Sequence, residues 1–164
     1  MMTLEGRIRV LLVAFTIGLV LSGLTAFPLQ WEVSTFARIL GASDSAAPET
    51  TTGLTHWIVT VRDGLTETNA KYPFLSYGTD WLAFGHLMIA IAFFGAIKDP
   101  IRNIWVIEFG MIACVLIIPL AMICGPIRGI PFYWRLVDCS FGVFGIIPLW
   151  LARKYTLKLA NSCK

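Results

Sequence analysis

The stretch IWVIEFGMIACVLIIPLAMIC, from Ile104 to Cys124, holds a single charged residue, Glu108, in 21 positions. A helix needs about 20 predominantly apolar residues to cross a bilayer. Lipid offers the backbone no hydrogen-bond partners, so a run of this kind reads as a transmembrane helix. Three more runs lie on either side of it: Val10 to Leu29, Trp81 to Ile97, and Leu136 to Leu151.

Composition points the same way. Of 164 residues, 57% are hydrophobic and 14% charged, against about 45–50% and about 25% in soluble domains. Such a chain is neither disordered nor a coiled coil. A net charge of +3 is too small to imply a nucleic-acid partner. The expected fold is an all-α integral membrane protein. It is a four-helix transmembrane bundle, one membrane domain over residues 1–164, with an outer loop carrying one or two short amphipathic helices.

The first run has a basic start, Arg7 and Arg9, and the small-residue stretch Ser22-Gly-Leu-Thr-Ala26. It is nevertheless longer than the roughly 7–15 residues of a signal peptide's apolar core. Leu24 also stands where a cleavage site wants a small residue. The run is read as a retained span.

Orientation follows from Lys and Arg. With both termini cytoplasmic, the inside holds Arg7, Arg9, Lys98, Arg102, Arg153, Lys154, Lys158 and Lys164. The outside holds Arg38, Arg62, Lys71, Arg128 and Arg135. The expectation is a multi-pass protein of the cell membrane, of inner-membrane type, with both termini inside. Trp31, Trp57, Trp81 and Trp134 then mark an outer aromatic belt and Trp105 and Trp150 an inner one.

The outer segment, about residues 30–80, has an Ala/Ser/Thr/Pro-rich middle from Gly41 to Gly53 that reads as a loop. Leu54, Trp57, Ile58, Val61 and Leu65 share one face of a predicted helix, with Arg62 off that face. Val33, Phe36, Ile39 and Leu40 give a shorter stripe. Pro73 should break any helix, and Thr79 or Asp80 should cap the second span. Pro100 should end one helix and start the next, and Pro119 and Pro148 should kink the third and fourth spans. Gly125 to Pro131 reads as a stiff turn. Small residues recur at Gly18, Ser22 and Ala26, at Gly78, Gly85 and Ala92, and at Gly142 and Gly145, spacings that allow close helix packing.

Ionisable residues in lipid are functional candidates by default. By depth, His86, Arg128, Arg135 and Asp138 gather in the outer half, with Asp80, Cys124 and Cys139 near them. One reading is structural: Asp138 pairs with Arg135, and His86 bonds a neighbouring carbonyl. The other is a ligand site. Arg128 and Arg135 would hold an anionic or polar group, His86 would supply a proton or hydrogen bond, and Asp138 would orient them. A quinone or lipid headgroup suits such a site, and haem less so, because only one histidine lies within a span. Glu108 and Arg153 are the expected structural ion pair near the inner edge. No metal site is expected: Cys114, Cys124, Cys139 and Cys163 show no C-x-x-C spacing. A Cys124–Cys139 disulfide is one further option.

The chain has no hydrolase, P-loop or dinucleotide motif. Its expected partners are the lipid bilayer and either a second copy of itself or a larger membrane complex. Two functions are carried forward. The first is a non-catalytic subunit or scaffold, and the second is a binding protein or enzyme for a small membrane-soluble or anionic molecule.

Overall fold

Long apolar stretches interrupted by Pro- and Gly-containing breaks resolve into six α-helices among the described residues, 3–162 of a computed structural model. Cys163 and Lys164, counted above, lie outside them. The helices are α1 (Leu4–Ala26), α2 (Leu29–Ile39), α3 (Gly53–Lys71), α4 (Tyr77–Lys98), α5 (Ile104–Ile127) and α6 (Phe132–Ser162). Short 3-10 turns occupy Pro48–Thr50 and Pro73–Ser76. No strand occurs among the described residues. Four of the helices are long and apolar enough to cross a membrane: α1, α4 together with the turn before it, α5 and α6.

The boundaries differ from expectation where local chemistry outweighs hydropathy. The first helix ends at Ala26 rather than Leu29, just before Pro28, which has no N–H to donate. The helix expected as the second span, α4, begins at Tyr77, so Thr79 and Asp80 lie inside its first turn and do not cap it. The Thr79 hydroxyl donates instead to the Ser76 carbonyl at 2.7 Å. Pro100 sits in a turn and does not open α5, which starts at Ile104. Asn103 closes that turn, its Nδ2 donating to the carbonyls of Gly95 at 3.0 Å and Asp99 at 2.9 Å. The fifth helix runs through Pro126 to Ile127 before the expected stiff turn begins. The sixth continues 11 residues beyond Leu151 to Ser162.

Two helix ends use the same device. After α2, Gly41 at φ +85° sends its N–H to Arg38 O, and Ala42 N–H reaches back to Ala37 O, both at 3.0 Å. After α5, Gly129 at φ +69° bonds Pro126 O at 3.1 Å, and Ile130 N–H bonds Gly125 O at 2.9 Å. This pair of bonds satisfies the orphan carbonyls of a helix end, and glycine adopts the left-handed conformation it requires without steric cost.

The chain divides into two compact units, each described by itself. One comprises the chain up to Leu19 together with Met88 and all that follows. Its core is Ile8, Leu12, Phe93, Ala96, Val106, Ile107, Cys114, Leu149 and Ala152. Phe15 and Phe93 meet with ring centroids 4.9 Å apart. Here α5 and α6 form an antiparallel hairpin whose contact levels pair Gly110 with Leu149, Cys114 with Gly142, and Gly125 with Arg135. A Cβ at Gly110 would lie 2.8 Å from Phe93 Cζ and 2.9 Å from Leu149 Cδ1, so the missing side chain lets the helices approach.

The other unit, Val20–Leu87, contains the end of α1, the loop helices and the start of α4. Helices α1 and α4 meet here at Gly23, where a Cβ would lie 3.1 Å from both Ala83 O and His86 Cβ. The expected small-residue positions Gly18, Gly78 and Gly85 meet nothing within 4 Å. Close approach therefore falls on Gly23, Gly110, Gly125, Gly142 and Gly145.

Helix α3 is as long as its pattern implies, but its buried stripe is rotated. Ile58, Val59 and Arg62 are buried and Leu54 is exposed. The Arg62 side chain, 9% exposed, donates to Ser43 O at 3.0 Å and Ala46 O at 2.6 Å, and to Asp63 Oδ1 at 2.8 Å. It ties the loop after α2 to α3. His56 Nδ1 adds a bond to Pro48 O at 2.8 Å. On α2 the residue buried is Ala37, while Ile39, from the expected stripe, is 75% exposed.

Candidate functional site

Arg128 caps the C-terminus of α5 and is exposed. Arg135 and Asp138 lie in the first two turns of α6 and are half-buried. Three residues apart, they share a helix face, yet no ion pair or hydrogen bond joins them. The guanidinium of Arg135 turns instead over the Phe132 ring, with Cζ 5.1 Å from the centroid. The aliphatic stem of Arg135 fills the space left by Gly125, where a Cβ would lie 2.7 Å from Arg135 Cγ. Its Nε is shielded from solvent and has no hydrogen-bond partner. The expected Asp138–Arg135 pair is therefore replaced by a cation–π contact, because the glycine opposite draws the arginine stem toward α5.

His86 belongs to the other unit. It is half-buried on α4, and its Nδ1 donates to the Leu82 carbonyl one turn back at 2.8 Å. One ring nitrogen is thus committed to its own helix.

At the other end of the α5–α6 hairpin, Arg153 Nε donates to Glu108 Oε1 at 2.8 Å. Both side chains are partly exposed, about two-fifths each. Cys114, Cys124 and Cys139 are free thiols, and no bond joins Cys124 to Cys139. Among the described residues no group of three or more His, Cys, Asp or Glu side chains is placed to hold a metal ion.

The loop unit holds a feature that the sequence pattern did not point to. A cavity of about 390 Å³ is lined by Phe27, Leu29, Leu65 and Leu75 on its apolar sides and by Gln30, Asn69 and Ser76 on its polar side. These polar groups form a chain. Ser76 Oγ donates to Asn69 Oδ1. Asn69 Nδ2 donates to Gln30 Oε1 at 2.6 Å, and Gln30 Nε2 donates to Thr66 Oγ1 at 3.3 Å. The residues are up to 46 positions apart, from Gln30 to Ser76, and none falls at a motif spacing. Their only sequence signal is a neutral amide or hydroxyl at the edge of an amphipathic stripe.

The chain matches no protein-family model, and no curated protein or solved structure matches it.

Proposed function

We propose that the chain is a multi-pass protein of the cell membrane, with both termini cytoplasmic, acting as a non-catalytic subunit that packs against another membrane protein or a second copy of itself. The observation that carries this reading is on α1. Gly18 and Ser22, four residues apart, are both exposed, and a Cβ at Gly18 meets nothing within 4 Å. Without a hydrophobic effect between helices in lipid, small residues at this spacing favour association by letting backbones approach. This chain's own close contacts use other glycines, which leaves the α1 face open to a partner helix.

The test is Gly18→Leu in the full chain, reconstituted in bilayers and followed by energy transfer between labelled copies and by co-purification. The expected outcome is loss of association with unchanged thermal stability, since the new side chain meets nothing in the chain itself. Unchanged association would sink the scaffold reading. A reporter fused after Lys164 that is active only outside would sink the proposed topology.

Arg135 Nε, shielded and unbonded, favours a second reading in which Arg128, Arg135 and Asp138 bind an anionic or polar group such as a quinone or lipid headgroup. Asp138, unpaired with Arg135, and an arginine held only by a ring leave charge-assisted hydrogen bonds for a ligand to make. Asp138→Asn should then reduce retained ligand in the purified protein while leaving the fold intact. A loss of stability without loss of ligand would exclude it.

A further inference from the structure

In the loop unit, Phe27, Tyr77, Trp81 and Phe84 surround Asp80 in a groove of about 290 Å³. Three of the rings climb the first turns of α4 as an edge-to-face ladder. Tyr77 and Trp81 have centroids 6.0 Å apart, and Trp81 and Phe84 5.8 Å apart. Phe27 closes the groove from the corner after α1. Asp80 is half-buried and makes no hydrogen bond or ion pair among the described residues.

A carboxylate in such a place needs a counter-charge. Its position in the first turn of α4 gives it the general attraction of a helix N-terminus, but no directed donor reaches it. Aromatic faces carry negative potential and attract cations, most of all those whose own hydration is weak. A wall of rings around one unpaired carboxylate is therefore complementary to a positive, methylated nitrogen and repels an anion. The volume lies at the small end of ligand sites, so it suits a headgroup and not a large molecule. The rings are about half exposed or more, and Tyr77, Trp81 and Phe84 stand at the start of a helix apolar enough to cross a membrane, where Trp and Tyr gather at headgroup depth.

We infer that this groove binds the ammonium headgroup of a zwitterionic phospholipid, with the nitrogen against Asp80 and its methyl groups against Trp81, Tyr77, Phe84 and Phe27. The inference rests on the proposed membrane location, and it concerns a cation, in contrast to the anion-binding residues of α6. The acyl chains would leave the groove along the apolar surface of α4 exposed at Leu82. Phosphatidylcholine should bind more tightly than phosphatidylethanolamine, because rings offer no acceptors for ammonium N–H groups.

The experiment uses the full chain carrying 5-fluorotryptophan in nanodiscs of phosphatidylglycerol with a rising fraction of phosphatidylcholine. The Trp81 fluorine resonance is assigned from Trp81→Phe. The expected result is a saturable shift of that resonance, weakened about tenfold in Asp80→Asn and retained in Asp80→Glu. Helix content by circular dichroism should stay unchanged in both variants. Because the lipid titration itself needs no variant, a misfolded mutant does not decide the outcome. A chain that enters nanodiscs but shows no saturable shift overturns the headgroup site alone. A chain that fails to enter them overturns the membrane reading, and the site with it. Soluble phosphocholine giving the same shift at the same concentration would show that the occupant is a free ammonium compound and overturn the lipid assignment.

Discussion

Gly142 of α6 lies against the backbone carbonyl oxygen of Cys114 on α5, so closely that a Cβ at that position would overlap it. The oxygen belongs to the helix backbone and cannot swing aside as a flexible side chain can. Gly142→Ala should therefore force the hairpin apart and destabilise the protein by about 1–3 kcal/mol, the usual cost of overpacking. Gly18→Ala, which meets open space, should leave stability unchanged. Thermal unfolding of the two variants in the same detergent checks the contrast.

Arg62 should hold the loop after α2 in place. Arg62→Ala removes the donors to Ser43 O and Ala46 O and should cost about 1–3 kcal/mol. Limited proteolysis should then cut between Gly41 and Thr52 many times faster, with little change in the spans. Unchanged cleavage would show that the loop is held by other contacts.

Glu108 and Arg153 should contribute little to stability. Their side chains are 42% and 40% exposed, and pairs open to water couple by about 0.2–1 kcal/mol. A double-mutant cycle with Glu108→Gln and Arg153→Met measures this directly. A coupling well above that range would place the pair inside the hydrocarbon instead of at its edge.

Asn103→Ala should loosen the turn between α4 and α5. The side chain satisfies two carbonyls at the end of α4, and its removal should cost about 1 kcal/mol. Asn103→Asp, which keeps the shape but not the donors, should cost at least as much. Hydrogen exchange at Lys98 and Asp99 reports the fraying.

The four long apolar helices were legible because about twenty predominantly apolar residues together leave a chain few alternatives. Which small residues carry the packing was not. A repeat of Gly18, Ser22 and Ala26 marks a face, but whether that face meets a neighbour depends on how distant segments pair. Gly142 was marked by its sequence and does meet one, whereas Gly110 and Gly23 drew no notice. The tail of α6 was readable and missed. Ala152, Tyr155, Thr156 and Leu159 recur at helical spacing and pack inward, although the hydropathy has already fallen. Arg62 escaped because a periodicity argument sorts residues by polarity, and its partners are loop carbonyls with no signature of their own. The pairing of Arg135 and Asp138 failed for a similar reason. Spacing along α6 put them together, but Gly125 on the opposite helix decided where the arginine went.

The length of α6 has a mechanical consequence. Its 31 residues extend about 46 Å at about 1.5 Å per residue, while the hydrocarbon layer is about 30 Å thick. The part beyond Leu151 is a basic rod of about 16 Å, bearing Arg153, Lys154 and Lys158, continuous with the span and unbroken by any loop. A tilt of the span by about 20°, ordinary for a transmembrane helix, would swing Ser162 sideways by about 5 Å. Because Ala152 and Thr156 on this rod are fully buried, such a tilt would not move the tip alone but would carry the helices packed against it as well.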